Sequence, residues 1–431
     1  MTARGYLYFG IMALLLLAVG FGQSWNVALG IFNLCLISAI MSLGVNIQWG
    51  YAGLFNVGIM GFAALGGLTA VLVSMPPVAE AWAAGGKGVG LALFCLALTV
   101  GAVLLLRRYL TGRLRFWLTL AVIVGGFLLI RGIFDPAVER IESVDPALTG
   151  YLGGMGMPIL FSWVLGGVVA AGAAWLIGKI SLGLRADYLA IATLGISEII
   201  IAVVKYEEWL SRGVKNVTGL PRPVPYEIDL MKTDWVMGLA DWFGADVADA
   251  ASVLVKLSYA ALFLLVLVVV LWFSERALHS PWGRMMRAIR DNREAASAMG
   301  KDVTWRHLQI FVLGCAVCGV AGAMLTTLDG QLTPTGYIPL RFTFLIWVMV
   351  IIGGSGNNWG AVLGGFVIWF LWIEAEPLGN WLMQVLTHGM EDGFWLKDHL
   401  IASAAYTRLI MMGAILLLVM RFFPRGLIPE R

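Results

Sequence analysis

Charged residues make up only 13% of this 431-residue chain, whereas 60% of its residues are hydrophobic and its mean hydropathy is +0.86. A soluble domain cannot bury so much apolar surface in one core, so the composition excludes a soluble protein. The net charge of +3 is too small to suggest a nucleic-acid partner. The sequence therefore predicts an integral membrane protein.

Groups for metal binding, redox chemistry or catalysis are also scarce. The four histidines are scattered, and Cys315 and Cys318 lie in an apolar run, where packing is favoured over zinc or redox chemistry. Gly86-Lys87 lacks both the leading glycine and the Ser/Thr of a Walker A loop, so this chain is not expected to bind ATP. We predict no catalytic residue, no metal and no cofactor on this chain, which argues against a membrane-embedded enzyme.

Apolar runs of about 20 residues recur along the chain and favour transmembrane helices over barrel strands of about 10 residues. We predict an all-α polytopic transmembrane bundle of about 10–12 spans, in which discontinuous helices could occur, in a single domain, 1–431. The candidate spans are 5–22, 27–47, 57–75, 88–106, 116–134, 158–178, 188–204, 253–273, 307–328, 339–354, 358–373 and 405–421.

The charges between these spans predict their sidedness. Basic clusters at 107–115, 179–185 and 276–306 are expected in the cytoplasm, and acidic connections at 135–145, 207–249 and 374–398 are expected outside. The last connection includes Glu391 and Asp392. Counting the crossings places both termini in the cytoplasm. The Pro-rich outer loop 205–252 could contact an external partner or form a solvated cap.

Two stretches interrupt apolar sequence without charge, 46–58 and 353–360, and each combines Gly, Asn and Trp. Glycine lets a helix break and Asn satisfies the released amides, so both stretches could line a substrate path. The alternative is a tight interfacial turn with Trp anchors, and if either stretch is re-entrant the span count falls. The candidate path residues are Asn46, Gln48, Tyr51, Asn56, Asn357 and Asn358.

Glu198 is a carboxylate near the middle of an apolar span. In that position it must be paired, protonated or facing water, which makes it a further substrate-path candidate. The alternative is a packing or orientation role beside Ser197 and Lys205.

The charged segment 274–306 lies between two long apolar runs. Ser280-Pro281 predicts one helix start and Asn292 a second, with Gly300 as the left-handed end. Ala295, Ala296 and Met299 then share one face, which could dock onto a partner outside the bilayer. The alternative is a basic loop that only fixes orientation.

The segment 280–303 resembles the cytoplasmic motif of permease subunits of ABC importers for branched-chain amino acids. Similar stretches follow the family's order at 50–58, 186–200, 347–365 and 424–429. The resemblance implies a coupling helix that contacts the ATPase through Arg287, Arg290, Glu294, Ala295, Ala296, Met299 and Gly300. Many members have His after the glycine at the end of the first stretch, whereas Ile59 follows Gly58 here, so no histidine role can be transferred.

The same resemblance implies a set of partners in a bacterial inner membrane: a second related permease, two cytoplasmic ATPase subunits that bind ATP and magnesium, and a periplasmic solute-binding protein. Residues 76–157 are expected to be an insertion with two extra spans. Related permeases carry urea and other small amides, so the solute stays open. The alternative function is an ion-coupled secondary transporter or channel, which would normally show more intramembrane ionisable residues than Glu198.

Overall fold

The computed structural model describes residues 3–388, 390 and 395–430, and most of them are helical. The first half of the chain forms α1 (Ala3–Gly22), α2 (Trp25–Ala52), α3 (Ile59–Ser74), α4 (Ala79–Ala81), a π-helical turn (Trp82–Gly86), α5 (Lys87–Tyr109), α6 (Gly112–Glu142), α7 (Ile159–Ser181) and α8 (Ala186–Tyr206). The following connection contains α9 (Glu208–Ser211), a 3-10 turn (Gly213–Lys215), β1 (Val217–Thr218), α10 (Glu227–Leu230) and α11 (Asp234–Phe243).

The second half begins with α12 (Val247–His279), which is the longest helix among the described residues. It continues with α13 (Pro281–Asp291), α14 (Arg293–Ala298), α15 (Val303–Asp329), β2 (Gln331–Leu332), a 3-10 turn (Pro334–Gly336), α16 (Pro339–Gly353), α17 (Asn358–Thr387), α18 (Trp395–Ala402), a 3-10 turn (Ser403–Tyr406) and α19 (Thr407–Phe422). The strands β1 and β2 pair antiparallel, with Val217 opposite Leu332 and Thr218 opposite Gln331.

The predicted spans all fall on apolar helices. Within the described residues, nine helices are long and apolar enough to cross a membrane, or ten if the bent pair α18 and α19 is one span. Two shorter apolar helices, α3 and α16, account for the other two predicted spans. At 1.5 Å per residue, the 16 residues of α3 reach about 24 Å, less than the roughly 30 Å hydrocarbon core. The predicted all-α polytopic bundle is confirmed.

Several predicted boundaries are wrong, including those of α2, α17 and α12. Helix α2 does not end at 47 but continues to Ala52, where Gly53 (φ 65°) closes it by donating to the carbonyls of Gln48 and Trp49. The break of this stretch is therefore confined to 53–58. Helix α17 does not end at 373 but continues through Pro377 to Thr387. Helix α12 already begins at Val247, inside the predicted outer loop.

The connection 374–404 is longer than the family resemblance implies, and its residues 374–387 and 395–402 belong to α17 and α18. Glu391 and Asp392 lie outside the described residues.

Glycines bring the central helices into backbone contact. An added Cβ at Gly66 of α3 would lie 1.9 Å from the carbonyl oxygen of Gly319 on α15, and one at Gly319 would lie 2.6 Å from the carbonyl oxygen of Gly166 on α7. A side chain at either position would collide with backbone. Close glycine contacts of this kind are a main source of helix association in membranes.

The helices α5 and α6 form a hairpin whose long surfaces are almost entirely exposed. The hairpin is attached at one end through Trp209, whose ring lies 5.4 Å from that of Phe134 and whose carbonyl accepts from the amide of Leu152 at 3.0 Å. It has its own small apolar cluster of Ala81, Val89, Ala137, Ile141 and Leu152. The sequence correctly predicts two spans here, and their origin as an insertion stays a prediction.

Candidate functional site

The segment between α12 and α15 folds into two short helices, as predicted. Ser280 caps α13 by accepting from the amide of Gly283 at 3.3 Å, with Pro281 in the first turn. Asn292 caps α14 by accepting from the amide of Ala295 at 2.9 Å, and Gly300 (φ 76°) ends it. The capping chemistry of the sequence therefore fixes where both helices begin.

The outer surface of α14 is narrower than its sequence predicts. Glu294, Ala295 and Met299 are exposed, Met299 by 80%, whereas Ala296 is half-buried and packs against the core. Met286 and Ile289 of α13 are fully buried and anchor the segment to the bundle. Glu294, Ala295 and Met299 thus form an exposed edge, and the buried Met286 and Ile289 belong to the packed base beneath it.

Arg290 lies at the centre of this base rather than on its surface. Its guanidinium contacts the carbonyl oxygen of Gly50 on α2, and Nη1 lies 2.9 Å from Oε2 of Glu430. Partial burial lowers the pKa of Arg290, but the hydrogen bonds and charges of Glu430 and Asp291 outweigh it, so the pKa is raised above its ordinary value. Arg290 joins α13 to α2 and to the C-terminal segment, whereas Arg287 is half-buried in an adjoining shallow depression.

The C-terminal segment 424–430 crosses the turn between α16 and α17. The amides of Leu427 and Ile428 donate to the carbonyls of Ile352 and Gly353 at 2.8 and 2.9 Å. Asn357 Nδ2 donates to the carbonyl of Pro429 at 3.1 Å, while its Oδ1 caps α17 through Trp359 and Gly360. Asn357 is thus a structural link between the second break and the tail.

Asn46, Tyr51 and Asn358 meet in a buried polar cluster. Asn46 Nδ2 donates to Asn358 Oδ1 at 3.1 Å, and Asn46 Oδ1 accepts from the amide of Gly356 at 2.8 Å. Tyr51 donates to the same Asn358 oxygen, and Asn358 Nδ2 donates to Oε1 of Glu275 on α12 at 3.0 Å. This cluster links the end of α2 to α12 and to the second break.

Gln48 and Asn56 form a second pair at the first break. Asn56 Nδ2 donates to Gln48 Oε1 at 2.9 Å, and Asn56 Oδ1 accepts from the amide of Gly58 at 2.9 Å. Trp347 Nε1 donates to the Asn56 carbonyl at 3.0 Å. The amide of Gly58 is therefore satisfied within the break, and the amide of Val57 donates to Thr193 Oγ1 on α8 at 3.1 Å. Such partners are what a helix break inside the membrane needs.

Glu198 stands apart from these clusters. It is exposed on α8, and it makes no hydrogen bond or ion pair with any residue that the structure describes. Its neighbour Ser197 is buried against Gly61 of α3, so the opposite face of α8 packs on the bundle. The sequence places Glu198 correctly on a span, but this carboxylate faces outward.

A cavity of about 210 Å³ lies among α2, α3, α15, α16 and α17. Its wall is mostly aliphatic, and its polar groups include Asp329, Gln331 and Tyr337. Tyr337 OH lies 3.1 Å from Thr326 Oγ1, and burial raises its pKa to about 12, so the phenol stays neutral. No local sequence pattern reveals this cavity, because its residues come from five helices and one loop.

A polytopic helical bundle with a largely apolar cavity among its helices is typical of a transport permease. A family model described as the permease component of branched-chain amino acid transport systems matches residues 27–420. The chain belongs to this family, as its motifs predicted.

Individual relatives agree with this assignment. A probable branched-chain amino acid transport permease, LivM of Methanocaldococcus jannaschii, is 23% identical over 91% of this chain and 90% of its own length. The high-affinity permease LivM of Escherichia coli is 26% identical over 62% of this chain and 56% of its own length. The fructose import permease FrcC of Rhizobium meliloti is 27% identical over 26% of this chain and 31% of its own length. No solved structure matches the chain.

Proposed function

We propose that this chain is the membrane-spanning subunit of an ATP-driven importer that carries branched-chain or related hydrophobic amino acids across a bacterial inner membrane. The observation that carries the proposal is the exposed edge of α13 and α14, which rests on a base joined through Arg290 to both helix breaks. Such an edge is suited to receive force from two ATPase subunits that bind ATP and magnesium. It would lie in the cytoplasm with both termini.

This connectivity supports a mechanism of alternating access. A movement of α13 displaces Arg290, which contacts Gly50 beside the first break and Glu430 in the tail that crosses the second break. ATP-driven closure of the ATPases would thereby bias the bundle between its outward-facing and inward-facing states.

The outward-facing Glu198 supports a second permease subunit as partner. A carboxylate at the centre of a membrane helix costs about 2.5–3.5 kcal/mol when lipid surrounds it. A related permease that covers α8 and brings a hydrogen-bond donor or water to Glu198 would remove this cost. The remaining partners are the lipid membrane and a periplasmic solute-binding protein, for which the connection 205–252 is a suitable surface.

The coupling role is tested by Glu294→Lys in the assembled complex, with Asp187→Lys as matched control. Both acids are exposed in the first turn of a helix, and α8 begins near Arg290 at the same end of the bundle. We expect Glu294→Lys to abolish ATP-dependent uptake of labelled leucine in proteoliposomes and to reduce ATPase co-purification, while membrane insertion stays normal. Asp187→Lys should transport normally. Normal uptake by Glu294→Lys would refute the coupling assignment.

A further inference from the structure

The cavity among α2, α3, α15, α16 and α17 has two chemically different parts. Its volume is about 210 Å³, whereas a cavity needs only about 10–15 Å³ on such a measure to hold one water molecule. One part is a wall without charge or hydrogen-bonding groups, formed by Ile37, Met41, Met60, Leu345, Ile346 and Met349. A ligand group that lies against this wall must itself be apolar, because a polar group would lose its water without replacement.

The other part combines a carboxylate with unsatisfied donors. Asp329, at the end of α15, is exposed, and it forms no ion pair within the described ranges 3–388, 390 and 395–430. Thr333 Oγ1 and Trp369 Nε1 are buried atoms of the cavity lining, and neither has a hydrogen-bond partner among the described residues. Buried donors are nearly always bonded, so two orphans in one cavity indicate a missing acceptor.

We propose that this cavity binds an α-amino acid with an aliphatic side chain, with the ligand's ammonium group on Asp329 and its carboxylate on Thr333 Oγ1 or Trp369 Nε1. The proposal rests on the function proposed above and adds the binding site and the groups that recognise the solute. A zwitterion supplies both the cation that Asp329 lacks and the acceptor that the orphan donors lack. A sugar needs polar partners around its ring, and the aliphatic wall offers none.

The strand pair β1–β2 holds the polar part of the cavity in place. Gln331 lines the cavity and pairs with Thr218 of β1, and the amide of Leu220 donates to the carbonyl of Gly330 at 3.1 Å. The loop that carries Thr333 is also held by Tyr337, whose hydroxyl lies against Thr326 and Gly67. The recognition groups are therefore positioned before the ligand arrives, which reduces the ordering cost of binding.

The test measures binding of labelled L-leucine to the purified full complex without the solute-binding protein. Unlabelled competitors are L-leucine, 4-methylpentanoate, which lacks the ammonium group, and D-fructose. We expect saturable leucine binding, competition by leucine but not by the other two, and a roughly 10- to 100-fold weaker affinity in Asp329→Asn. Asp329→Glu should bind more tightly than Asp329→Asn, Asp241→Asn should match wild type, and the cavity-filling Ile346→Trp should abolish binding.

Three results would overturn the proposal: no saturable leucine binding in wild type, wild-type affinity in Asp329→Asn, or competition by 4-methylpentanoate or fructose equal to that by leucine. Each of these three results leaves the proposed transport function untouched. That function would be refuted by a different result, namely no ATP-dependent leucine uptake by the wild-type complex even with the solute-binding protein. Uptake that is present and indifferent to Asp329→Asn would refute the site alone.

Discussion

Replacement of Asn358 by leucine tests whether the polar cluster at the end of α2 stabilises the bundle. Asn358 is fully buried, as are Asn46 and Tyr51, and its side chain bonds to both of them and to Glu275. Leucine has a similar volume, so the substitution removes hydrogen bonds without opening a large cavity.

The expected cost follows from what each partner loses. Asn46 Nδ2 becomes a buried donor without a partner, at about 1–3 kcal/mol. Tyr51 OH keeps a contact with the Ser274 carbonyl at 3.3 Å, so its loss is about 1 kcal/mol. The side chain of Glu275 is 29% exposed and can recover water. We therefore expect Asn358→Leu to destabilise the protein by about 2–4 kcal/mol.

The measurement is the free energy of unfolding in mixed micelles by SDS titration. Tyr51→Phe, which removes one bond of the same cluster, should cost about 1 kcal/mol. Asn26→Ala, which loses an exposed bond to Asp249 at 3.1 Å, should change stability least. If Asn358→Leu were as stable as wild type, or less damaging than Asn26→Ala, the cluster would have no stabilising role.

Two further predictions concern the core and the tail. Gly66→Ala should lower the melting temperature in detergent strongly, because the added Cβ would lie 1.9 Å from the Gly319 carbonyl oxygen. Gly10→Ala should not lower it, because a Cβ there meets nothing within 4 Å. Equal melting temperatures of the two variants would contradict the packing. Arg290→Gln and Glu430→Gln should each reduce leucine uptake, and the double variant should lose little more than Arg290→Gln alone, since the two side chains act as one pair. Additive losses in a double-mutant cycle would show that they act separately.

Local patterns predicted the fold well. Hydropathy located the spans because each membrane helix must carry its own apolar run, and the caps at Ser280, Asn292 and Gly300 were correct because capping needs only neighbouring residues. The end of α2 was misplaced, since polar Asn46 and Gln48 were interpreted as leaving the helix, whereas their amides are satisfied by residues far along the chain or across the break.

The site was less predictable because its contacts are long-range. Arg290 lies within a run of arginines and its sequence context indicates a surface cation, whereas its partner Glu430 is close only in the folded chain. The cavity could not be predicted from the sequence for the same reason, since its lining residues Ile37, Asp329 and Trp369 lie on three different helices and belong to no local motif. The position of Glu198 within an apolar span is visible in the sequence. Whether its side chain faces the bundle or the outside depends on which face of α8 packs against α3, which the sequence alone does not show.

The contacts among Gly66, Gly166 and Gly319 have a mechanical consequence. Where backbone touches backbone there is no side chain that can change rotamer to absorb a displacement, so α3, α7 and α15 are expected to move as one block. Bending is then left to the irregular segments 53–58 and 354–357, where no helix constrains the chain. The glycines of the core thus make α3, α7 and α15 a rigid unit, whereas the glycines of the segments 53–58 and 354–357 allow the chain to bend.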